Sequence, residues 1–126
     1  MHTREKGQKG EEISCRFLES KGFTIVVQNY QKKWGEIDII AKKKGVLYFV
    51  EVKTRTANFY INGIDWYRPE DNVHNWKLRR LGNTIQVYLE EKGYGQEGEW
   101  QFDVVTVLLD VKNKLAKIRH IEDIIL

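Results

Sequence analysis

Cysteine, proline and serine are nearly missing from this chain. Its 126 residues hold one cysteine (Cys15), one proline (Pro69) and two serines (Ser14 and Ser20). A lone thiol cannot close an internal disulfide, so a reducing compartment, the cytoplasm, is expected. Neither serine lies in a Gly-x-Ser-x-Gly turn, which argues against a serine hydrolase. The three histidines, His2, His74 and His120, are scattered and form no His-Glu-x-x-His helix, so a zinc protease is not expected. No glycine-rich phosphate loop is present, which removes nucleotide-driven motors. Apolar runs are short, residues 46–50 being one of the longest. A membrane span needs roughly 18. The N-terminal charges are followed by no apolar stretch of the secretory kind.

What is present suits a soluble globular fold. Apolar residues make up 41% and charged residues 31%, with a formal net charge of +3. Two domains of half this length would each have a marginal core, so residues 1–126 are expected to form a single domain. A first helix is predicted over residues 3–20, ended by Lys21-Gly22, where glycine supplies a left-handed cap. Strands are predicted at about 23–29, 36–41 and 47–54. A second helix runs from about 69 or 72 to 92, opened by Pro69, and further strands cover about 100–109 and 115–121. The fourth strand is apolar on both faces after Asp103, which places it inside a sheet. The order αβββαββ predicts an α/β fold, a central mixed five-stranded sheet flanked by helices.

Two segments carry charge where strands should be apolar: Gly35-Glu36-Ile37-Asp38-Ile39-Ile40 and Phe49-Val50-Glu51-Val52-Lys53. Aspartate is depleted in strands, yet Asp38 sits among isoleucines. If Lys44-Gly45 is a two-residue turn, paired numbers sum to 89. Asp38 then faces Glu51, and Glu36 faces Lys53, all on one side of the sheet. Opposed carboxylates repel. A hard divalent ion such as Mg2+ or Mn2+ would offset that repulsion. A surface charge pair, with Lys53 bridging Glu36 or Glu51, is the simpler alternative. A metal held by Asp38 and Glu51, with Lys53 beside it, suits phosphodiester hydrolysis and needs neither serine nor histidine.

The first helix offers one more acid. At ~100° per residue, Glu11 falls about 70° from the apolar direction and Glu12 about 170° away. Glu11 is therefore a third metal ligand or water-orienting acid, or else only an acid favoured in early helical turns. Gly7 and Gly10 lie near the buried direction, where the lack of a side chain permits close approach by the sheet or a phosphate.

Taken together, Gly7-x-x-Gly10-Glu11, Gly35-Glu36-Ile37-Asp38-Ile39-Ile40-Ala41 and Phe49-Val50-Glu51-Val52-Lys53-Thr54-Arg55, with Phe102-Asp103-Val104-Val105 and His120-Ile121, resemble the YraN-like family of bacterial proteins. That family is similar to the restriction-endonuclease-like superfamily, whose signature is an Asp followed by Glu/Asp-x-Lys, and within it to archaeal Holliday-junction resolvases. The resemblance implies a nuclease core with catalytic Glu11, Asp38, Glu51 and Lys53. It also implies a Mg2+ (or Mn2+) site made by Asp38 and Glu51, with Glu11 at the matching helix position, and DNA, branched forms included, as substrate. Residues 56–68 depart from the family, which has a shorter Gly-Pro-containing link there.

Basic residues are spread along the chain. Arg55 and the run Lys42-Lys43-Lys44 at the hairpin tip are candidate phosphate contacts. Phe59, Tyr60, Trp66 and Tyr67 either stack on unpaired bases or pin their loop to the body. Trp34 is open to the same two readings. Asp103 reads as a structural capping or pairing residue, His120 as an ordinary edge-strand residue, and Cys15 as a small buried hydrophobe. Two further functions stay open: a non-catalytic nucleic-acid-binding module of the same fold, and a protein-interaction scaffold. A homodimer, which would suit cutting of two strands, is not readable from one sequence.

Overall fold

The computed structural model describes residues 3–60, 75–94 and 98–126, with the side chains of 75–78 left out. Helix α1 spans Thr3–Ser20. It ends where Gly22 takes φ +93° and the Phe23 N–H donates to the Leu18 carbonyl at 3.0 Å, a left-handed glycine cap. Strand β1 (Thr24–Lys32), β2 (Gly35–Lys43) and β3 (Val46–Thr56) follow as a meander. Helix α2 (Asn75–Glu91) then leads to β4 (Trp100–Asp110) and β5 (Leu115–Ile121). Pro69 and the predicted start of the second helix lie outside the described residues, as do Trp66 and Tyr67.

The five strands lie in the order β1-β2-β3-β4-β5. The hairpins make antiparallel pairs, whereas β3 and β4 are parallel and joined through α2. A parallel pair cannot be closed by a tight turn, so a crossover element is required there. The fold is thus the mixed α/β sheet expected of the restriction-endonuclease-like type. β4 is an interior strand buried from Phe102 to Asp110.

Alternation along the strands sorts the core into two clusters. On one face Ile40, Leu47, Phe49, Phe102 and Val104 meet Leu81, Ile85, Tyr88 and Leu89 of α2. On the other face Ile39, Ala41, Val50, Val105 and Val107 meet Cys15 and Leu18 of α1. Helix α1 lies so close to β3 that a Cβ at Gly10 would overlap the Thr54 side chain. Here glycine serves helix–sheet contact. A Cβ at Gly7 would meet nothing within 4 Å among the described residues beyond the helix's own backbone.

The hairpin between β2 and β3 turns on Lys44 and Gly45, both with positive φ (+50° and +80°), the geometry that matches strand twist. Its register runs from Lys43↔Val46 to Ile39↔Val50, so paired numbers do sum to 89. The ladder then stops. β2 continues paired to β1 as far as Gly35, and β3 continues paired to β4 as far as Thr56. The expected rungs Asp38–Glu51 and Glu36–Lys53 are therefore not formed. The reason is local: Asp38 puts its own carboxylate where a backbone carbonyl would sit, with Oδ2 accepting from the Val52 N–H at 2.8 Å. The two strands part, and the gap becomes a cleft.

Candidate functional site

The cleft measures about 710 Å³ and opens at the parted end of the sheet. Thr3, Lys6, Gly7 and Glu11 of α1 form part of its lining. Glu36, Asp38, Glu51 and Lys53 contribute from the separated strands, and Arg80, Leu81 and Thr84 from α2. All four residues singled out as catalytic candidates thus share one cavity. Helix α1 turns Glu11 inward to a half-buried position while Glu12 is exposed and pairs with Arg16 at 2.7 Å, the split that helical phase predicted.

Electrostatics bind the acids into one unit. Burial pushes the Asp38 carboxyl up to about 7. The Val52 N–H pulls against that rise, while the negative charges of Glu11, Glu51 and Glu36 reinforce it. Burial also raises Glu11; a hydrogen bond from the Asn29 side chain opposes this and the charge of Glu36 adds to it. Glu51 is only 12% exposed along its side chain and places Oε1 3.3 Å from the Lys53 ammonium. The charge pair foreseen as the simpler reading thus exists, and it exists inside the same cleft as the other two acids.

Asn29 is a site residue that the sequence did not disclose. It has φ +54°, rare within a strand, and like Val26 at the bulge it is missing from the β1–β2 ladder, falling opposite Asp38. Asparagine tolerates this conformation better than most residues. The kink allows its amide to serve Glu11. The one available signal was an asparagine ending a β-branched run, and that reads equally well as a strand terminus.

The cationic candidates lie outside the cleft lining. Lys42, Lys43 and Lys44 lie at the hairpin end opposite the cleft, roughly 13–20 Å from Asp38 at ~3.3 Å per residue. Lys43 packs over the Phe23 ring, 4.9 Å from its centroid. Arg55 is exposed one residue beyond the cleft-lining Thr54. The cations that do line the cavity are Lys6, Lys32, Lys33, Lys53 and Arg80. Four elements distant in sequence, α1, β1 with its turn, β3 and α2, bring them there.

A second polar cluster sits on β4 and β5. Asp103 is wholly buried, and its Oδ2 lies 2.7 Å from His120 Nε2. Its Oδ1 accepts from Gln101 Nε2 and from the Asp123 N–H, each at 2.9 Å. The structural role expected of Asp103 is visible, but His120 is its partner and not an ordinary edge residue. Glu122 completes a group of three potential metal donors within 4.8 Å. Hydrogen bonds within the protein account for the Asp103 geometry.

A mixed five-stranded sheet covered by α1 and α2, with carboxylates and a lysine gathered where two strands part, defines an α/β protein of the restriction-endonuclease-like architecture. The pattern of the family described as "Uncharacterised protein family UPF0102" matches residues 10–107, which include Glu11, Asp38, Glu51 and Lys53. The chain belongs to this family. It is 36% identical over 124 residues to a UPF0102 protein of Natranaerobius thermophilus, covering 98% of each chain. A UPF0102 protein of Dictyoglomus turgidum is 35% identical over 115 residues, 91% of this chain and 92% of the relative. One from Helicobacter pylori is 46% identical over 89 residues, 71% of this chain and 70% of the relative.

Proposed function

We propose that this protein is a divalent-metal-dependent endonuclease acting on phosphodiester bonds of structured DNA, branched forms included. The observation that carries the reading is the convergence of Glu11, Asp38 and Glu51 with Lys53 in one half-buried cleft. Burying three mutually repelling carboxylates is unfavourable unless a cation neutralises them. The donor set is all carboxylate oxygen, which fits Mg2+ or Mn2+ and offers nothing soft to a thiophilic metal.

When bound, such an ion would polarise a phosphodiester and acidify water beside it. The chain's own residues do the rest. The Val52 N–H fixes the Asp38 carboxylate in one orientation. Asn29 steadies Glu11. Lys53, held against Glu51, supplies positive charge where the phosphate gains negative charge, and a proton for the departing oxygen. A symmetric pair of chains would cut two strands, so a homodimer belongs to this reading, as does a reducing cytoplasm for the lone Cys15. No helix among the described residues is long and apolar enough to cross a membrane.

The test is cleavage of branched, flapped and single-stranded DNA in Mg2+. Wild-type protein is expected to cut, and Glu51→Gln and Lys53→Ala to lose at least a hundredfold in rate. Undiminished cutting by both variants would sink the assignment. The Lys53–Glu51 pair favours one second reading, a nucleic-acid-binding module whose lysine already offsets an acid without any ion. Calorimetry with Mn2+ separates them, because only the nuclease needs to retain the metal. A protein-interaction scaffold would show no DNA retention even at low salt.

A further inference from the structure

The hairpin joining β1 to β2 turns on Lys33 and Trp34, closed by the Lys32↔Gly35 pair. Such turns usually take glycine, asparagine or aspartate. Here one position carries an indole that keeps 44% of its surface exposed. Its neighbours on either side, Lys33 and Gly35, both line the cleft. The turn is braced from α2. Arg80 Nε donates to the Trp34 carbonyl at 3.0 Å, and a Cβ at Gly35 would lie 2.5 Å from Thr84 Oγ1. A large apolar ring is thus held toward water from a backbone that two contacts prevent from folding back.

An exposed ring on a braced turn suits a partner with a flat apolar face. The cations nearby, Lys33 and Arg80 at the cleft wall with Lys6 across it, ask that this partner also be anionic. Unpaired nucleotides meet both demands, since each joins an open base face to a phosphate. Duplex DNA hides its base faces in the stack and offers only the charge.

We infer that Trp34 is a stacking platform for an unpaired base flanking the phosphate that enters the cleft, with Lys33 and Arg80 holding the backbone on that side. This makes DNA with an unpaired segment at the cut the substrate class, and it rests on the nuclease reading only for which phosphate lies next to the base. Tyr60, the other strongly exposed aromatic ring among the described residues at 76%, follows a β3 extension that is tied to Asp110 through the Phe59 N–H and lies outside the cleft lining.

The experiment measures binding without catalysis, by fluorescence anisotropy of labelled single-stranded, flapped and blunt duplex DNA in EDTA at fixed salt. Trp34→Ala is expected to weaken single-strand and flap binding on the order of tenfold and to leave duplex binding within about twofold. Trp34→Phe should recover most of the loss. Tryptophan emission of the wild type should be quenched by a short oligothymidine, and most of that quench should vanish in Trp34→Phe, a readout that stands even if the alanine variant does not fold. Equal loss on all three DNAs, no loss on any, persistence of the quench in Trp34→Phe, or no single-strand binding by the wild type would each overturn the proposal. Cleavage that fails while this discrimination persists retires the nuclease reading alone. Discrimination that fails while cleavage persists retires the platform alone.

Discussion

The Asp38 carboxylate takes the Val52 N–H at 2.8 Å across two strands that have stopped pairing. One side chain thereby ends the β2–β3 ladder, replaces the backbone acceptor that Val52 would otherwise lack, and faces the acids of the cleft. A buried N–H without an acceptor would cost about 1–3 kcal/mol, so the hydrogen bond that shapes the site also preserves the sheet.

The first prediction concerns pH. The folded-state pKa of Asp38, about 7, lies above its ordinary value of 3.8. The folded protein therefore holds a proton between these values that the unfolded chain releases. Stability from this group is greatest below pH 4, falls as pH rises toward 7 and is level above it, by at most about 4 kcal/mol. Asp38→Asn should show a higher melting temperature than wild type at pH 8, with the gap closing toward pH 4. Carbon-13 NMR of the metal-free carboxyls should find Asp38 titrating near neutrality.

Metal should reverse that penalty. Saturating Mn2+ at pH 8 is expected to raise the melting temperature of the wild type, because ligand binding to the folded state stabilises it. Glu51→Gln should lose most of the increase. Since Asp38 must be ionised to bind, calorimetry should show tighter Mn2+ binding at pH 8 than at pH 6.

Asn29 offers a finer test. Asn29→Gly keeps the left-handed backbone and removes only the amide. The hydrogen bond that lowers the Glu11 carboxyl is then gone, so its titration should move upward and Mn2+ affinity at pH 7 should fall several-fold. Asn29→Ala should do the same and in addition lose about 1 kcal/mol of stability to backbone strain.

Gly10 is predicted to be irreplaceable while Thr54 is present. Gly10→Ala should cost about 1–3 kcal/mol in urea unfolding through overlap with that side chain. Adding Thr54→Ala should restore part of the loss, a non-additivity confined to residues in contact.

His120 is predicted to matter for stability rather than for metal. His120→Ala leaves the buried Asp103 with Gln101 and the Asp123 N–H only, at a cost of about 1–3 kcal/mol in the same assay. Glu122→Ala, at an exposed position, should stay within about 0.5 kcal/mol.

Much of the architecture was legible locally. The helix over 3–20 followed from its apolar phase and the Gly22 cap, and the β2–β3 register followed from the Lys44-Gly45 turn, because turn chemistry and alternation act between near neighbours. The inward Glu11 was legible for the same reason. The distance of the Lys42–Lys44 tip from the cleft was not legible, because a position along a hairpin does not say at which end a cleft will open. Arg80, Lys6 and Lys33 stayed hidden because they converge from three elements.

By itself, then, the order of residues determined the Lys44-Gly45 turn, the β2–β3 register as far as the Ile39–Val50 pair, and the helical phase that turns Glu11 inward. Those are matters of period and turn geometry, set within a few residues. Only the tertiary structure decided that β2 and β3 part at Asp38, that Asn29 kinks to meet Glu11, and that α2 braces Trp34 beside the opening. Each depends on contacts between segments far apart in the chain, whose closeness exists only once both faces of the sheet are covered.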